Sequence, residues 1–461
     1  MTLIKSISGI RGTIGGKSGE NLTPPDIVAF TSGFARLIAD TYSHPKIMIG
    51  RDGRNSGEMV QSLVSSTLIA FGIQVLDAGF TTTPSLEMGI VHYRAQGGIM
   101  ITASHNPMEW NALKFMNEKG ECIDNNTGQQ LLALADSGLE YNSYDRLGHI
   151  TGIKDSIERH IDAILNLPLI NQSAILAKKY RVVLDAINST GALAIPPLLS
   201  RLGVECILLN GEINGVFNHN PEPLPENITG IQKAVIDFKA DMGIIVDPDV
   251  DRLSFVSGDG NSFGEEYTLV AVADYILSHK KGNTVSNLSS TMALRDITER
   301  HGGHYYASAV GEVNVVTKMK EVNAVIGGEG NGGIIFPDLH YGRDAMVGIA
   351  LFLSSIATKN ITVASLRASL PKYEMSKNKI ELNDIHQINQ ILENVKSKYI
   401  KYEINTTDGV KITMPNEWIH LRRSNTEPII RIYAESQTKE KADHLALSMI
   451  QVIAEIQNTL K

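Results

Sequence analysis

Lys46-Ile-Met-Ile-Gly50, followed by a helix-period stretch at 58–71 and then by Gly98-Ile-Met-Ile-Thr102, decides the fold. Two short apolar runs with an amphipathic segment between them form a βαβ unit, in which both strands are buried and parallel. The rhythm returns at Arg181-Val-Val-Leu-Asp185 with 189–201, and at Met242-Gly-Ile-Ile-Val246 with a helical stretch from Glu265 to Ser278. It continues through Asn283-Thr-Val-Ser286, 291–300 and Asn323-Ala-Val-Ile326. The expectation is an α/β protein in which a mainly parallel sheet recurs. From about residue 370 the texture changes to a helical stretch (385–399), short strands (409–414, 418–421, 429–435) and a closing amphipathic helix (438–458), which reads as a smaller α+β domain. Domains of roughly 100–150 residues then give four units, at 1–150, 151–256, 257–369 and 370–461.

Composition removes several function classes. Hydrophobic residues make up 43% and charged residues 20% of the 461, an ordinary globular balance without low-complexity tracts. The first residues lack the apolar block of a signal peptide, and no apolar run approaches the roughly 18 residues that cross a bilayer, so a cytoplasmic protein without membrane partners is expected. Forty-two Lys and Arg against fifty Asp and Glu give a net charge of −8 with no basic block, which argues against nucleic acid. Cys122 and Cys206 form no CxxC or other metal-ligand pattern and read as buried or incidental thiols. An acidic chain can still bind a small anion by concentrating Arg, Lys and backbone amides locally.

In open α/β sheets, ligands collect beyond the carboxyl ends of strands. Gly97-Gly-Ile-Met-Ile-Thr-Ala-Ser-His-Asn-Pro107 is an apolar strand running to Ala103 that delivers Ser104 onto a tight turn. A serine there can be a covalent nucleophile or can simply brace the turn. Lys114, in the following Trp110-Asn-Ala-Leu-Lys-Phe115 segment, can supply a proton or a positive charge. In Met242-Gly-Ile-Ile-Val-Asp-Pro-Asp-Val-Asp-Arg252, three carboxylates at alternate positions follow a buried strand. Oxygen ligands of that kind suit a hard cation, magnesium above all, with Arg252 beside it facing a phosphate. An EF-hand is excluded, because Arg252 stands where Gly is required and Gly258 where Glu is required.

Val325-Ile-Gly-Gly-Glu-Gly-Asn-Gly-Gly333 contains GxGxxG, yet Ile334-Ile-Phe-Pro337 follows where a dinucleotide fold needs a helix. Its glycines instead let Glu329 and Asn331 approach a polar ligand such as sugar hydroxyls. Gly16-Lys17-Ser18 ends like a phosphate-binding P-loop but has Arg11 where the first glycine belongs. Leu421-Arg-Arg-Ser-Asn-Thr-Glu-Pro-Ile-Ile-Arg431 gathers arginines, hydroxyls and an amide around a turn, the composition of a phosphate cradle. Gly50-Arg-Asp-Gly-Arg54 and Ile10-Arg-Gly12 are weaker basic turns.

Taken in order, Ser104-His-Asn-Pro, Asp247-Pro-Asp-Val-Asp-Arg, Gly328-Glu-Gly-Asn-Gly-Gly and Arg422-Arg-Ser-Asn-Thr-Glu-Pro resemble the α-D-phosphohexomutase superfamily over essentially the whole chain. The resemblance implies three related mixed-sheet α/β domains and a smaller α+β domain around a central cleft. It implies phosphorylation of Ser104, magnesium held by Ser104, Asp247, Asp249 and Asp251, and a hexose 1,6-bisphosphate as intermediate and activator. Glu329 and Asn331 match the sugar loop; Arg422, Ser424, Asn425 and Thr426, with Arg431, match the phosphate-binding segment. Arg11, Lys114 and Arg252 match positions lining the catalytic centre, and Lys114 and His105 are both candidate bases. The expected partner is a small phosphosugar, bound by a monomer or homodimer. Trp110-Asn-Ala-Leu-Lys, Tyr341-Gly-Arg-Asp and the Asn331 variant of the sugar loop resemble the archaeal-type branch containing phosphoglucosamine mutases. Glu312 falls where glucose- and mannose-type relatives often carry His, so an amino sugar ranks first, with glucose or mannose phosphate second. A serine-dependent metal phosphatase and a non-catalytic phosphosugar-binding protein are the competing classes.

Overall fold

The computed structural model describes residues 2–6, 9–138, 140–381, 387–423 and 429–459. Its four sheets follow one another along the chain. In the first, strands Lys46–Arg51, Gln74–Phe80 and Gly97–Ile101 run parallel, as the Ile-rich runs predict. Trp110–Asn117 returns antiparallel to Gly97–Ile101 and pairs in turn with Gly9–Thr13. The second sheet joins Arg181–Asp185 and Met242–Val246 in parallel, with Leu253–Ser257 antiparallel at its edge. The third does the same with Asn283–Asn287, Ala324–Glu329 and the antiparallel Gly333–Ile335. Each of these three sheets is therefore mixed: a parallel core ends in a hairpin-like return, and the turn of that return carries one of the sequence motifs. The fourth sheet is wholly antiparallel, with helices Gln387–Lys398 and Lys439–Thr459 packed on it.

The cores show which units pack as one. The first sheet has separate apolar layers on its two faces, around Phe34 and Ile49 on one side and Met48 and Leu86 on the other. The second and third units share one continuous core, in which Phe255 stacks on Phe352 at 3.8 Å between ring centroids. Phe352 lies on the helix Ala345–Lys359, which is buried from Ala345 through Ala357. A helix apolar on every side belongs inside a protein core. Asp344 caps it, accepting hydrogen bonds from the amides of Met346 and Val347 at 2.8 and 3.2 Å, a contact of about 1 kcal/mol. That cap fixes the position of the preceding residue, Arg343, which is itself buried. Among the described residues no single helix is long and apolar enough to cross a membrane.

Candidate active site

Ser104, Asp247 and Glu329 all stand at or just past the carboxyl end of a parallel strand, where open sheets collect ligands. The first of these strands ends at Ile101, two residues earlier than the sequence suggests, because Thr102 and Ala103 already lead into the turn. Ser104 sits in the left-handed region, with φ of 49°. That conformation costs a non-glycine residue about 1 kcal/mol or more, so the surroundings must hold it. Thr102 Oγ1 accepts the Ser104 amide at 2.9 Å and itself donates to Asp52 at 2.6 Å.

The larger brace is Arg54. Its guanidinium donates to the carbonyls of Ser104 (2.6 Å), Asn106 (2.7 Å), Pro107 (2.6 Å) and Trp110 (3.1 Å), and pairs with Asp52 at 3.0 Å. Both side chains of the pair are fully buried. The sequence reveals Arg54 only as part of a weak basic turn; what makes it central is that strands Lys46–Arg51 and Gly97–Ile101 lie side by side. The loop is also tied to the second unit, where Ser189 accepts the Gly53 amide at 2.9 Å and donates to the Pro248 carbonyl at 2.6 Å.

Ser104 Oγ donates to Asp247 Oδ2 at 2.6 Å across 143 residues of sequence. Asp247, Asp249 and Asp251 are all buried, and one carboxylate oxygen from each lies within 4.8 Å of the others. The loop is shaped by Val250 at φ 64° and by the amides of Asp251 and Arg252, which donate to Asp247 Oδ1 at 3.1 and 3.0 Å. Thr83 and Lys114 donate to Asp249 Oδ2, both at 2.6 Å, while Lys114 (3.1 Å) and Arg343 (2.7 Å) reach Asp251 Oδ2. Burial and the two neighbouring carboxylates push the Asp247 carboxyl well above the usual range. Burial acts the same way on Asp249, but Lys114 and the hydrogen bond from Thr83 together outweigh it and hold that carboxyl below its ordinary value.

The second oxygens of Asp249 and Asp251 are buried without a hydrogen-bond partner. Orphaned buried carboxylate oxygens are costly. Beside a serine hydroxyl, they form the donor set a hard divalent cation requires, so the residues present fit magnesium.

Arg343 links this centre to the sugar loop. It reaches Asp251 at 2.7 Å, Glu329 at 3.3 Å and Glu312 at 3.2 Å. Glu329 also accepts from Asn287 and from the Gly311 amide. Asn331 uses its side-chain oxygen to accept the Gly333 amide, bracing the loop. Glu312 turns both oxygens to Arg343, through the backbone amide at 3.0 Å and through Nε. Arg343 thus holds the Glu312 carboxylate as well as that of Glu329.

A cluster of cations lies beside the triad. Burial lowers the Arg11 pKa, and so do Arg252 and Arg431 beside it. His105 is pushed well below its ordinary value by burial and then by Arg252 and Arg11, which keeps its ring neutral. Arg252 is held by Glu222 at 2.7 Å. Arg422, opposite Arg431 in the antiparallel pair, is held by Asp408 at 2.7 Å, and Asp408 also accepts the Val310 amide of the third unit. Ser424, Asn425 and Thr426 lie outside the described residues.

A serine, a carboxylate triad and a set of arginines are thus brought together from separate units of the chain. Models for the four successive domains of phosphoglucomutase/phosphomannomutase match residues 3–142 (domain I), 158–260 (domain II), 264–373 (domain III) and 374–452 (C-terminal domain). A Thermococcus kodakarensis protein described as phosphoglucomutase/phosphomannomutase is 34% identical over 94% of this chain and 95% of its own length. A probable phosphoglucosamine mutase of Methanopyrus kandleri is 30% identical over 97% and 96%. The crystal structure of a phosphoglucomutase/phosphomannomutase family protein from Burkholderia thailandensis superposes with a TM-score of 0.85 at 23% identity, covering 98% of both chains. The chain belongs to the phosphoglucomutase/phosphomannomutase family, within the α-D-phosphohexomutase superfamily of intramolecular phosphotransferases.

Proposed function

We propose that this enzyme interconverts hexose 6-phosphate and 1-phosphate through phosphorylated Ser104 and a 1,6-bisphosphate, with glucosamine phosphate as its preferred sugar. The observation that carries the reading is the 2.6 Å contact between Ser104 Oγ and Asp247, made inside a buried triad with two orphaned oxygens. Asp247, Asp249, Asp251 and Ser104 would hold magnesium, which when bound neutralises charge on the transferring phosphoryl group. Lys114 and Arg343 keep the remaining carboxylate oxygens in place. Glu329 is oriented by Asn287, Gly311 and Arg343 to receive sugar hydroxyls, and Arg11, Arg252, Arg422 and Arg431 supply the positive wall for the distant phosphate. In the forward step the bond from phosphorus to Ser104 Oγ breaks, a bond to the sugar hydroxyl oxygen forms, and the hydroxyl proton passes to a base. His105, neutral beside Ser104, is the candidate; Lys114 is not, because burial lowers its pKa but Asp249 and Asp251 together raise it further and hold the amine as an ammonium, with no lone pair to take a proton. The second step reverses these events at the other end of the bisphosphate.

Preference for glucosamine phosphate is supported by relatives named phosphoglucosamine mutase, while the 34% identical relative is named for glucose and mannose. We place the enzyme in the cytoplasm, acting as a monomer or homodimer on a free phosphosugar. The test is conversion of the 1-phosphates of glucosamine, glucose and mannose to 6-phosphates, with magnesium and a trace of the matching bisphosphate. Wild-type turnover with the highest kcat/KM on glucosamine phosphate, and none for Ser104→Ala, is the expected outcome. A higher kcat/KM on glucose or mannose phosphate would reassign the sugar. Steady release of inorganic phosphate without isomerisation would instead make it a phosphatase.

A further inference from the structure

Behind the sugar loop, where the first and third units meet, Glu87, Cys122 and Glu312 present one ligand atom each within 4.8 Å of one another. None belongs to the motifs that define the catalytic centre. They come from three separate elements: Glu87 from helix Thr83–His92, Cys122 from the loop after strand Trp110–Asn117, and Glu312 from the first turn of helix Glu312–Glu321. Gly120, at φ +72°, lets the Cys122 loop close onto the backbone of Glu87, where any Cβ would collide with the Glu87 carbonyl.

Glu87 is the anomaly. Its residue is 1% exposed, and both of its carboxylate oxygens are buried without a hydrogen-bond partner. The nearest cation, His340 Nδ1, stands 3.3 Å from Oε2 without forming an aligned hydrogen bond, and it too has no partner. His340 faces only Oε2, so Oε1 remains a buried carboxylate oxygen with no partner, a costly group that a bound cation would satisfy. Glu312 already accepts from Arg343 at both oxygens, but each carboxylate oxygen has a second lone pair free for a metal. Two carboxylates and a thiol suit a borderline divalent transition ion far better than magnesium, which avoids sulfur. An entry path exists: a cavity of about 480 Å³ between the two units is lined by Cys122 and Glu312, with Lys320 and Tyr341 at its side.

We propose that Glu87, Cys122 and Glu312 form a second metal site, for zinc or a like divalent transition ion, with an open coordination position facing the interdomain cavity. Such an ion bridges the first unit to the third, which also meet at this edge through the Lys320–Glu121 pair at 2.6 Å and the His340–Glu87 pair at 3.3 Å.

The test is titration of the full-length, metal-free protein with cobalt(II), followed by near-ultraviolet absorption. An all-oxygen triad gives no thiolate-to-cobalt charge-transfer band, whereas this site does. We expect the band in wild type and in Cys206→Ser, its loss in Cys122→Ser, and at least a tenfold weaker cobalt affinity in Glu87→Gln. Zinc bound at equilibrium should fall by one equivalent in Cys122→Ser, with the thermal transition of the metal-free variant unchanged. Absence of the band in wild type, its persistence in Cys122→Ser, or undiminished affinity in Glu87→Gln would each overturn the assignment.

Discussion

Replacing Arg54 by Ala removes the donor that holds the Ser104 turn. The substitution leaves the Asp52 carboxylate without its cation, and the carbonyls of Ser104, Asn106, Pro107 and Trp110 without theirs. Breaking a fully buried ion pair from one side costs about 3–5 kcal/mol, and the orphaned carbonyls add to that only where water cannot reach them. Taking the pair alone, and about 2–4 °C per kcal/mol for a domain of this size, the transition of the first unit should fall by about 6–20 °C. Calorimetry is the right assay, because a multidomain chain does not melt in one step. Turnover should fall on the order of a hundredfold, since a displacement of about 1 Å at a reacting atom is enough for that. Arg54→Lys, keeping the charge but losing the fork, should fall between. Adding Asp52→Asn to Arg54→Ala should recover part of the stability by removing the uncompensated charge. A melting point within about 2 °C of wild type, with turnover within threefold, would refute the view that Arg54 shapes the nucleophile loop.

Magnesium at about a hundred times its dissociation constant should stabilise wild type by about 2.7 kcal/mol and leave Asp247→Asn unmoved; equal shifts in thermal melting would argue against the triad as the metal site. His420 of the fourth unit bonds Ser289 of the third at 2.9 Å, and burial, aided by Lys411 and Arg422, lowers its pKa from 6.5 to about 4 against the opposing Asp408 carbonyl. Between those values the unfolded chain binds the extra proton, so stability present above pH 6.5 should decline toward pH 4 by about 3 kcal/mol; His420→Gln should flatten that slope in melts run from pH 7 to 4. A Cβ at Gly330 would strike the Glu266 carboxylate. Gly330→Ala should therefore shift the sugar loop and raise KM at least tenfold, which steady-state kinetics would read directly.

Much of this architecture is written locally. The parallel strands at 46, 97, 181 and 242 declare themselves because Ile and Val runs bounded by turn residues have no other stable burial, and the three aspartates are legible because like charges after a buried strand need a cation. The antiparallel returns were harder to see, since Leu253–Ser257 and Gly333–Ile335 are short and only their partners define their direction. Arg54, Thr83, Asn287 and Arg343 carry no local signal of their roles. Each acts on residues far away in sequence, as Thr83 does on Asp249 or Arg343 on Asp251. Arg343 is visible only within a Tyr-Gly-Arg-Asp string, and its pairing with Glu312, 31 residues away, cannot be inferred from spacing.

Arg11, Arg252 and Arg431 come from the first, second and fourth units, and they are close enough to depress the first of them. Like charges converging from separate bodies push those bodies apart, with a strength that salt reduces over about 10 Å. A phosphate bound between them, as proposed above, would then be a keystone: three stones of an arch would lean on it, and the arch would spread when it was lifted out. The cargo would thus be part of the masonry, and the span of the unloaded enzyme should widen at low ionic strength and tighten as soon as phosphate is set in place.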